Sequence, residues 1–161
     1  MNGFTVRRGR PSDSRQFMGL LVALAKFERL KPPSNEGRKR ILEDVFERKR
    51  ISLFVAVKDR KLIGYALYFY TYSSFLAKPT LYLEDLFVLD EHRKSGVGFA
   101  LFRRCVDEAV KEGCGRMEWS VLKWNEKALK FYERLGAKRM SEWVVYRLDE
   151  RALSLVPSRA S

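Results

Sequence analysis

The stretch LYLEDLFVLDEHRKSGVGFALF, residues 81–102, limits the choice of fold more than any other. It opens as an apolar strand, crosses a short basic loop with two glycines, and ends as the start of a helix. A second strand-like run, RMEWSVL at residues 116–122, follows that helix. Strand, helix and strand in this order require a parallel crossover. The loop also bears on ligands. Its glycines let backbone N–H groups approach an anion closely, and the helix start adds its positive dipole end. Arg93 and Lys94 contribute formal charge. A pyrophosphate suits such a loop, although glycine serves geometry alone in many strand-to-helix turns.

The rest of the chain fits around this unit. FTVRR at residues 4–8 reads as a first strand. Ser12 and Asp13 offer helix caps, and Asp13 with Gln16 resembles a capping box. Phe17, Leu20, Leu21 and Leu24 then share one helical face. Pro32 and Pro33 end that helix, and Ile41, Leu42, Val45 and Phe46 mark a second with a basic outer side. Residues 51–57 and 62–72 read as a hairpin turned at KDRK. SSFLAKP, residues 73–79, reads as a loop. After Gly98, the residues Leu101, Phe102, Cys105, Val106, Ala109 and Val110 form an apolar face that ends at Gly113. A short helix spans about residues 125–135. WVVYRL, residues 143–148, is expected to close the sheet, and residues 152–161 to fray. The predicted fold class is mixed α/β: one domain over residues 1–161, with a central, mostly antiparallel sheet and helices on both faces.

Composition narrows the chemistry. The chain has 161 residues, 46% of them hydrophobic and 32% charged, as expected of a folded domain with a real core. No apolar run reaches the roughly 18–20 residues of a membrane span, and residues 17–27 lack a signal-peptide cleavage pattern. A cytoplasmic protein without membrane attachment is the expectation. Two cysteines make neither a disulfide framework nor a metal knuckle, and one histidine argues against a His-based metal cluster or a Ser-His-Asp triad. No metal is expected. The net charge of +12 is uneven: residues 1–61 carry 16 Lys/Arg against 7 Asp/Glu. Such a surface can hold nucleic acid or another polyanion. No nucleic-acid module accompanies it, so a solvated basic surface is the simpler reading.

Two nucleotide folds fail on their motifs. A Walker A loop needs G-x-x-x-x-G-K-[ST], which is absent. A dinucleotide fingerprint needs a third glycine where this chain has Leu101. A second element adds information. Asn125 and Tyr132 are seven residues apart, two helical turns, so an amide and a phenol share one helix face. That is a plausible reaction site, but a packed tyrosine would give the same pattern.

Together these pieces resemble the GCN5-related N-acetyltransferases. Arg93, Gly96 and Gly98 match that family's [RQ]-x-x-G-x-[GA] pattern, and WNEKALKFYERLGA, residues 124–137, matches its later Asn-x-x-Ala-x-x-x-Tyr motif. LAKFE at residues 24–28, YLEDLFV at residues 82–88 and Lys123 extend the likeness toward the spermidine/spermine and thialysine N-acetyltransferase-like branch. The resemblance implies acetyl transfer from acetyl-CoA to a primary amine of a small molecule by direct attack. It implies Glu84 as the group that takes the amine proton, directly or through water, and Tyr132 as the general acid. It implies that Leu86, Phe87, Val88, Arg93, Lys94, Ser95, Gly96, Val97, Gly98, Phe99, Asn125, Lys127, Ala128 and Tyr132 hold acetyl-CoA. Phe27, Glu28, Glu84 and Glu142 would hold the amine. His92 would sit on the cofactor side.

Strand alternation places Glu84 and Asp85 on opposite faces, so only one is expected to reach the cleft. Ser73 and Ser74 stand where the polyamine enzymes carry an acidic residue, which points toward amino-acid-like acceptors. The family commonly forms homodimers. A protein or peptide N-acetyltransferase is the alternative enzyme, and a non-catalytic CoA- or nucleic-acid-binding module the alternative outside catalysis.

Overall fold

The computed structural model describes residues 3–156. The chain divides into two compact units, one running to Ser120 and one beginning at Val121.

The first unit is a five-stranded sheet in the order β1-β2-β3-β4-β5. Its strands are β1 (Thr5–Arg8), β2 (Ser52–Lys58), β3 (Lys61–Ser73), β4 (Lys78–Val88) and β5 (Arg116–Glu118). The first three pairings are antiparallel, and β4 to β5 is parallel. The expected crossover is made by α3 (Val97–Lys111). The turn between β2 and β3 uses Asp59 and Arg60, both at positive φ (48° and 64°). That is the backbone of a two-residue hairpin turn whose twist matches the strands.

Helices cover both faces. α1 (Ser14–Phe27) and α2 (Asn35–Phe46) bury Phe17, Leu20, Leu24 and Val45 against Leu53, Val55, Tyr65, Leu67 and Phe87. Phe17 meets Tyr65 edge-on, with ring centroids 5.1 Å apart. Each fully buried side chain of this size contributes about 1.5–3 kcal/mol. On the other face α3 buries Val97, Leu101, Phe102, Cys105 and Ala109. Gly64 lets it approach: a Cβ there would stand 2.7 Å from the Phe87 carbonyl oxygen and 3.2 Å from Leu101 Cδ1.

Several expectations are corrected. The Asp13–Gln16 capping box does not form. Asp13 instead takes Arg7 in a two-pronged pair at 2.7 and 2.9 Å, together with the Arg10 N–H at 2.8 Å. A guanidinium fork competes well for a carboxylate. Gln16 leaves the helix end to accept the Leu62 N–H at 2.8 Å. Val110 is exposed, and Glu108 is buried on the stripe in its place. Arg8 from β1 pairs with Glu108 and also reaches the Tyr68 hydroxyl at 3.3 Å, which makes a buried carboxylate tolerable.

In the second unit α4 (Glu126–Arg134) and α5 (Glu150–Leu155) form. Residues 143–148 make no strand, and Trp143, Val144, Val145 and Tyr146 are exposed. Strand preference reflects packing against neighbours on a pleated surface, and no described strand pairs with this run. The expected fraying of residues 152–161 meets α5 in its first part, and residues 157–161 lie outside the described residues.

Candidate active site

The site is built on the C-terminal half of β4. β5 pairs with β4 only at Thr80, Leu81 and Tyr82. The expected strand at residues 116–122 is paired only from Arg116 to Glu118, so among the described residues no strand pairs with the far edge of β4 beyond Tyr82. The Leu89 N–H donates to Ile63 at 3.0 Å, and Phe87 lies opposite Tyr65. Along an antiparallel strand the N–H groups alternate in direction. The N–H groups of Leu86 and Val88 therefore point toward the open edge, and that of Phe87 points to β3. Such fixed donors suit an oxygen that gains negative charge.

A β-bulge interrupts the same stretch. Leu67 pairs with Asp85 and Tyr68 pairs with Leu83, which leaves Glu84 without a partner on β3. Directly opposed residues share a face. Leu83 thus lies on the Tyr68 side and Asp85 on the Leu67 side, and Glu84, alternating from Leu83, joins Asp85. The expectation that Glu84 and Asp85 face opposite ways is overturned, because one extra residue resets the alternation.

Both carboxylates accordingly lie on the face covered by α1, where Glu28 caps that helix. Tyr65, fully buried, donates its hydroxyl to Asp85 at 3.0 Å. Burial pushes the Asp85 carboxyl up to about 6, opposed by the Tyr65 hydrogen bond and reinforced by Glu84 and Glu28. Burial also raises Glu28, with Glu84 adding to it. The Tyr65 phenol is pushed well up by burial and by Asp85. Three carboxylates gathered on one face form a site that gains by admitting a cation. Sequence reading missed Tyr65 and Asp85 as members, because plain alternation admits only one of Glu84 and Asp85, and the bulge brings Glu84 onto the face that Asp85 shares with Tyr65 and Phe87.

The loop after β4 is shaped for an anion. Gly96 sits at φ +85° immediately before α3. A Cβ there would meet nothing within 4 Å, so the backbone angle, and not space, calls for glycine. The first bond of the helix runs from the Ala100 N–H to Gly96 at 2.9 Å. The N–H groups of Val97, Gly98 and Phe99 precede it and have no partner within the helix. Ser95 turns its hydroxyl to the His92 carbonyl at 2.6 Å, while Lys94 and Phe99 are exposed. These donors suit an anion such as a pyrophosphate.

Arg93 departs from the expected picture. Its side chain folds back over β4, donating from Nε to the Val88 carbonyl at 3.0 Å and pairing with Asp90 at 2.6 Å. The guanidinium lies over Phe27 at 4.6 Å and over Phe87 at 5.7 Å.

In the second unit, Asn125 is the N-cap of α4, accepting the Ala128 N–H at 3.2 Å. Tyr132 lies on the same helix, its ring edge-on to Phe131 at 5.1 Å. Lys127 and Glu142 are exposed. Among the described residues no group of three or more His, Cys, Asp or Glu could hold a metal, and no helix is long and apolar enough to cross a membrane.

Known proteins place this arrangement. A model of the acetyltransferase (GNAT) family matches residues 21–137. Over 100 residues the chain is 41% identical to L-ornithine N5-acetyltransferase NATA1 of Arabidopsis thaliana, covering 62% of this chain and 44% of that protein. It is 28% identical to thialysine N-epsilon-acetyltransferase of Mus musculus, covering 96% of this chain and 97% of that one. Among solved structures, an integron cassette protein of V. cholerae superposes with a TM-score of 0.82 at 24% identity, covering 95% and 96% of the two chains. AAC(6')-Iy in complex with a CoA bisubstrate analogue superposes with a TM-score of 0.75 at 20% identity, covering 91% and 98%. With a family model running from α1 through α4, over both the β4 bulge and the glycine loop, the chain belongs to the GNAT family of acetyltransferases.

Proposed function

We propose that this enzyme acetylates a primary amine of a small molecule that carries a second charged group, of the ornithine or thialysine kind or a diamine. The observation that carries the reading is the cluster of Glu28, Glu84 and Asp85 on one face of the β4 bulge, in a chain whose net charge is +12. Local negative charge of this density attracts a substrate with two ammonium groups despite the general positive field. The relatives named for ornithine and thialysine support the same substrate class.

Acetyl-CoA supplies the activated acetyl group. Leu86 and Val88 offer N–H groups at the open edge of β4 to the acyl oxygen. Val97, Gly98 and Phe99 offer theirs to the phosphates. A free alkyl amine has a pKa near 10 and must lose a proton before attack. Glu84 is exposed and faces the same side as Asp85, so it takes that proton, directly or through water. Tyr132 carries a proton to the leaving side as general acid, and the Asn125 amide with Lys127 and Ala128 lines the cofactor arm. Phe27 and Glu28 wall the amine site, with Glu142 as a further acidic contact. We read the whole chain as one catalytic domain that acts as a homodimer in the cytoplasm.

A thiol-release assay with acetyl-CoA tests this. L-ornithine, thialysine, spermidine and a lysine-containing peptide are compared at equal concentration. Turnover of one of the small amines above the peptide is expected; a preference for the peptide would sink the small-amine reading.

A further inference from the structure

We propose that Arg93 is a positioning residue that locks the amine-site wall to the cofactor loop, so that the two ligands bind interdependently. The inference rests on the reading of Phe27 as part of the amine wall.

The geometry is specific. Arg93 opens the loop that ends at Gly96, yet its side chain is turned away from that loop. Nε is bonded to the Val88 carbonyl at 3.0 Å, and Nη1 holds Asp90 at 2.6 Å. The Val88 carbonyl points away from β3, toward the edge that β5 leaves open. The guanidinium carbon lies 4.6 Å from the ring centre of Phe27, the last residue of α1, and 5.7 Å from that of Phe87 of β4. One planar group thus touches the end of α1, the core of β4, the open edge of β4 and the turn at Asp90.

A lysine could keep the charge but not the fork and the stack together. A residue that only bound phosphate would be free to point at the helix start, and this one is committed elsewhere. When the Phe27 ring moves to admit an amine, the stacked guanidinium moves or holds with it, and the start of the loop follows. A link of this kind is reciprocal: whatever the amine does to CoA affinity, CoA does to amine affinity.

The test is a double-mutant cycle on CoA affinity, read by calorimetry, with Arg93→Lys, Phe27→Leu and the double variant. Both single changes are conservative, and circular dichroism confirms folding. Arg93→Lys is expected to weaken CoA about three- to tenfold, the scale of a lost cation–π contact. Phe27→Leu is expected to weaken it comparably, although Phe27 lies outside the loop. The double variant is expected to be no weaker than Arg93→Lys alone. Unchanged CoA affinity in Phe27→Leu, or effects that multiply in the double variant, would overturn the proposal. The amine arm uses L-ornithine: saturating ornithine is expected to shift the CoA Kd of the wild type severalfold and that of Arg93→Lys by much less. Equal shifts in the two proteins would overturn the coupling. Should no small amine be acetylated, the functional reading fails by itself, and the CoA cycle still decides whether Arg93 joins wall and loop.

Discussion

The Tyr65 hydroxyl donates to the Asp85 carboxylate at 3.0 Å, joining β3 to β4 at the point where the bulge at Glu84 turns both acidic residues to one face. A fully buried phenol thus supports a carboxylate that would otherwise be costly to enclose. The pair fixes the sheet beneath the bulge, and its chemistry makes that face sensitive to pH.

Asp85 should therefore make stability depend on pH in a definite direction. Its folded value is pushed up to about 6, above the roughly 3.9 of an unfolded aspartate. Below both values the carboxyl is neutral in either state and contributes nothing. Between them the unfolded chain ionises first, so stability falls as pH rises, and above about 6 the loss is complete. Its size is on the order of 3 kcal/mol. Asp85→Asn keeps an acceptor for Tyr65 and removes the titration. Urea unfolding should show the variant gaining on the wild type at pH 8 and much less at pH 4. Equal differences at the two pH values would count against the assignment.

Glu84 and Asp85 should separate in kinetics. Glu84→Gln removes the proton acceptor and should lower kcat by about 10²- to 10⁴-fold, the usual worth of a general base. CoA affinity should be kept, because Glu84 lies away from the Gly96 loop. Raising the pH should partly restore the rate as more of the amine loses its proton unaided. A variant as fast as wild type at neutral pH would remove Glu84 from the mechanism.

Tyr132→Phe should bind CoA normally and lose kcat. If a proton from the phenol assists the leaving side, the loss should again be about 10²-fold or more. Stopped-flow measurement of a single turnover would isolate this step from product release. An unaltered single-turnover rate would exclude the phenol as acid.

Gly96→Ala should loosen the loop without any clash. The built Cβ meets nothing, but φ is +85°, and an L-residue there costs about 1 kcal/mol or more. The backbone can relax only by turning the donors of Val97 and Gly98. CoA affinity should fall and Tm drop by a few degrees. Gly98→Ala is the control: its Cβ would rest 3.8 Å from Val88 Cγ2 at ordinary contact, and Tm should hardly move.

The elements that recur locally were legible in the residues themselves. The strand, glycine loop and helix at residues 81–102 carry their periods openly, and Asn125 with Tyr132 is visible as a helix spacing. What could not be read depends on neighbours. The bulge at Glu84 arises from the register between β3 and β4, which no single strand encodes. Asp13 looked like a cap until Arg7, on a separate strand, claimed it. Glu108, absent from the predicted apolar face, is buried there with Arg8 as its partner. Arg93 carries a phosphate-binding motif, yet its guanidinium is held by Val88, Asp90 and Phe27. Residues 143–148 have strand composition and no described partner.

The most direct test of the account is the ratio of kcat/KM for L-ornithine to that for 5-aminopentanoate, which offers the same attacking amine and the same carboxylate without the second ammonium. A charge-assisted contact contributes about 1.5–3 kcal/mol, so the cluster of Glu28, Glu84 and Asp85 predicts a preference for ornithine of about tenfold or more. Asp85→Asn should reduce that ratio. Equal kcat/KM for the two amines would contradict the claim that this acidic face selects the substrate.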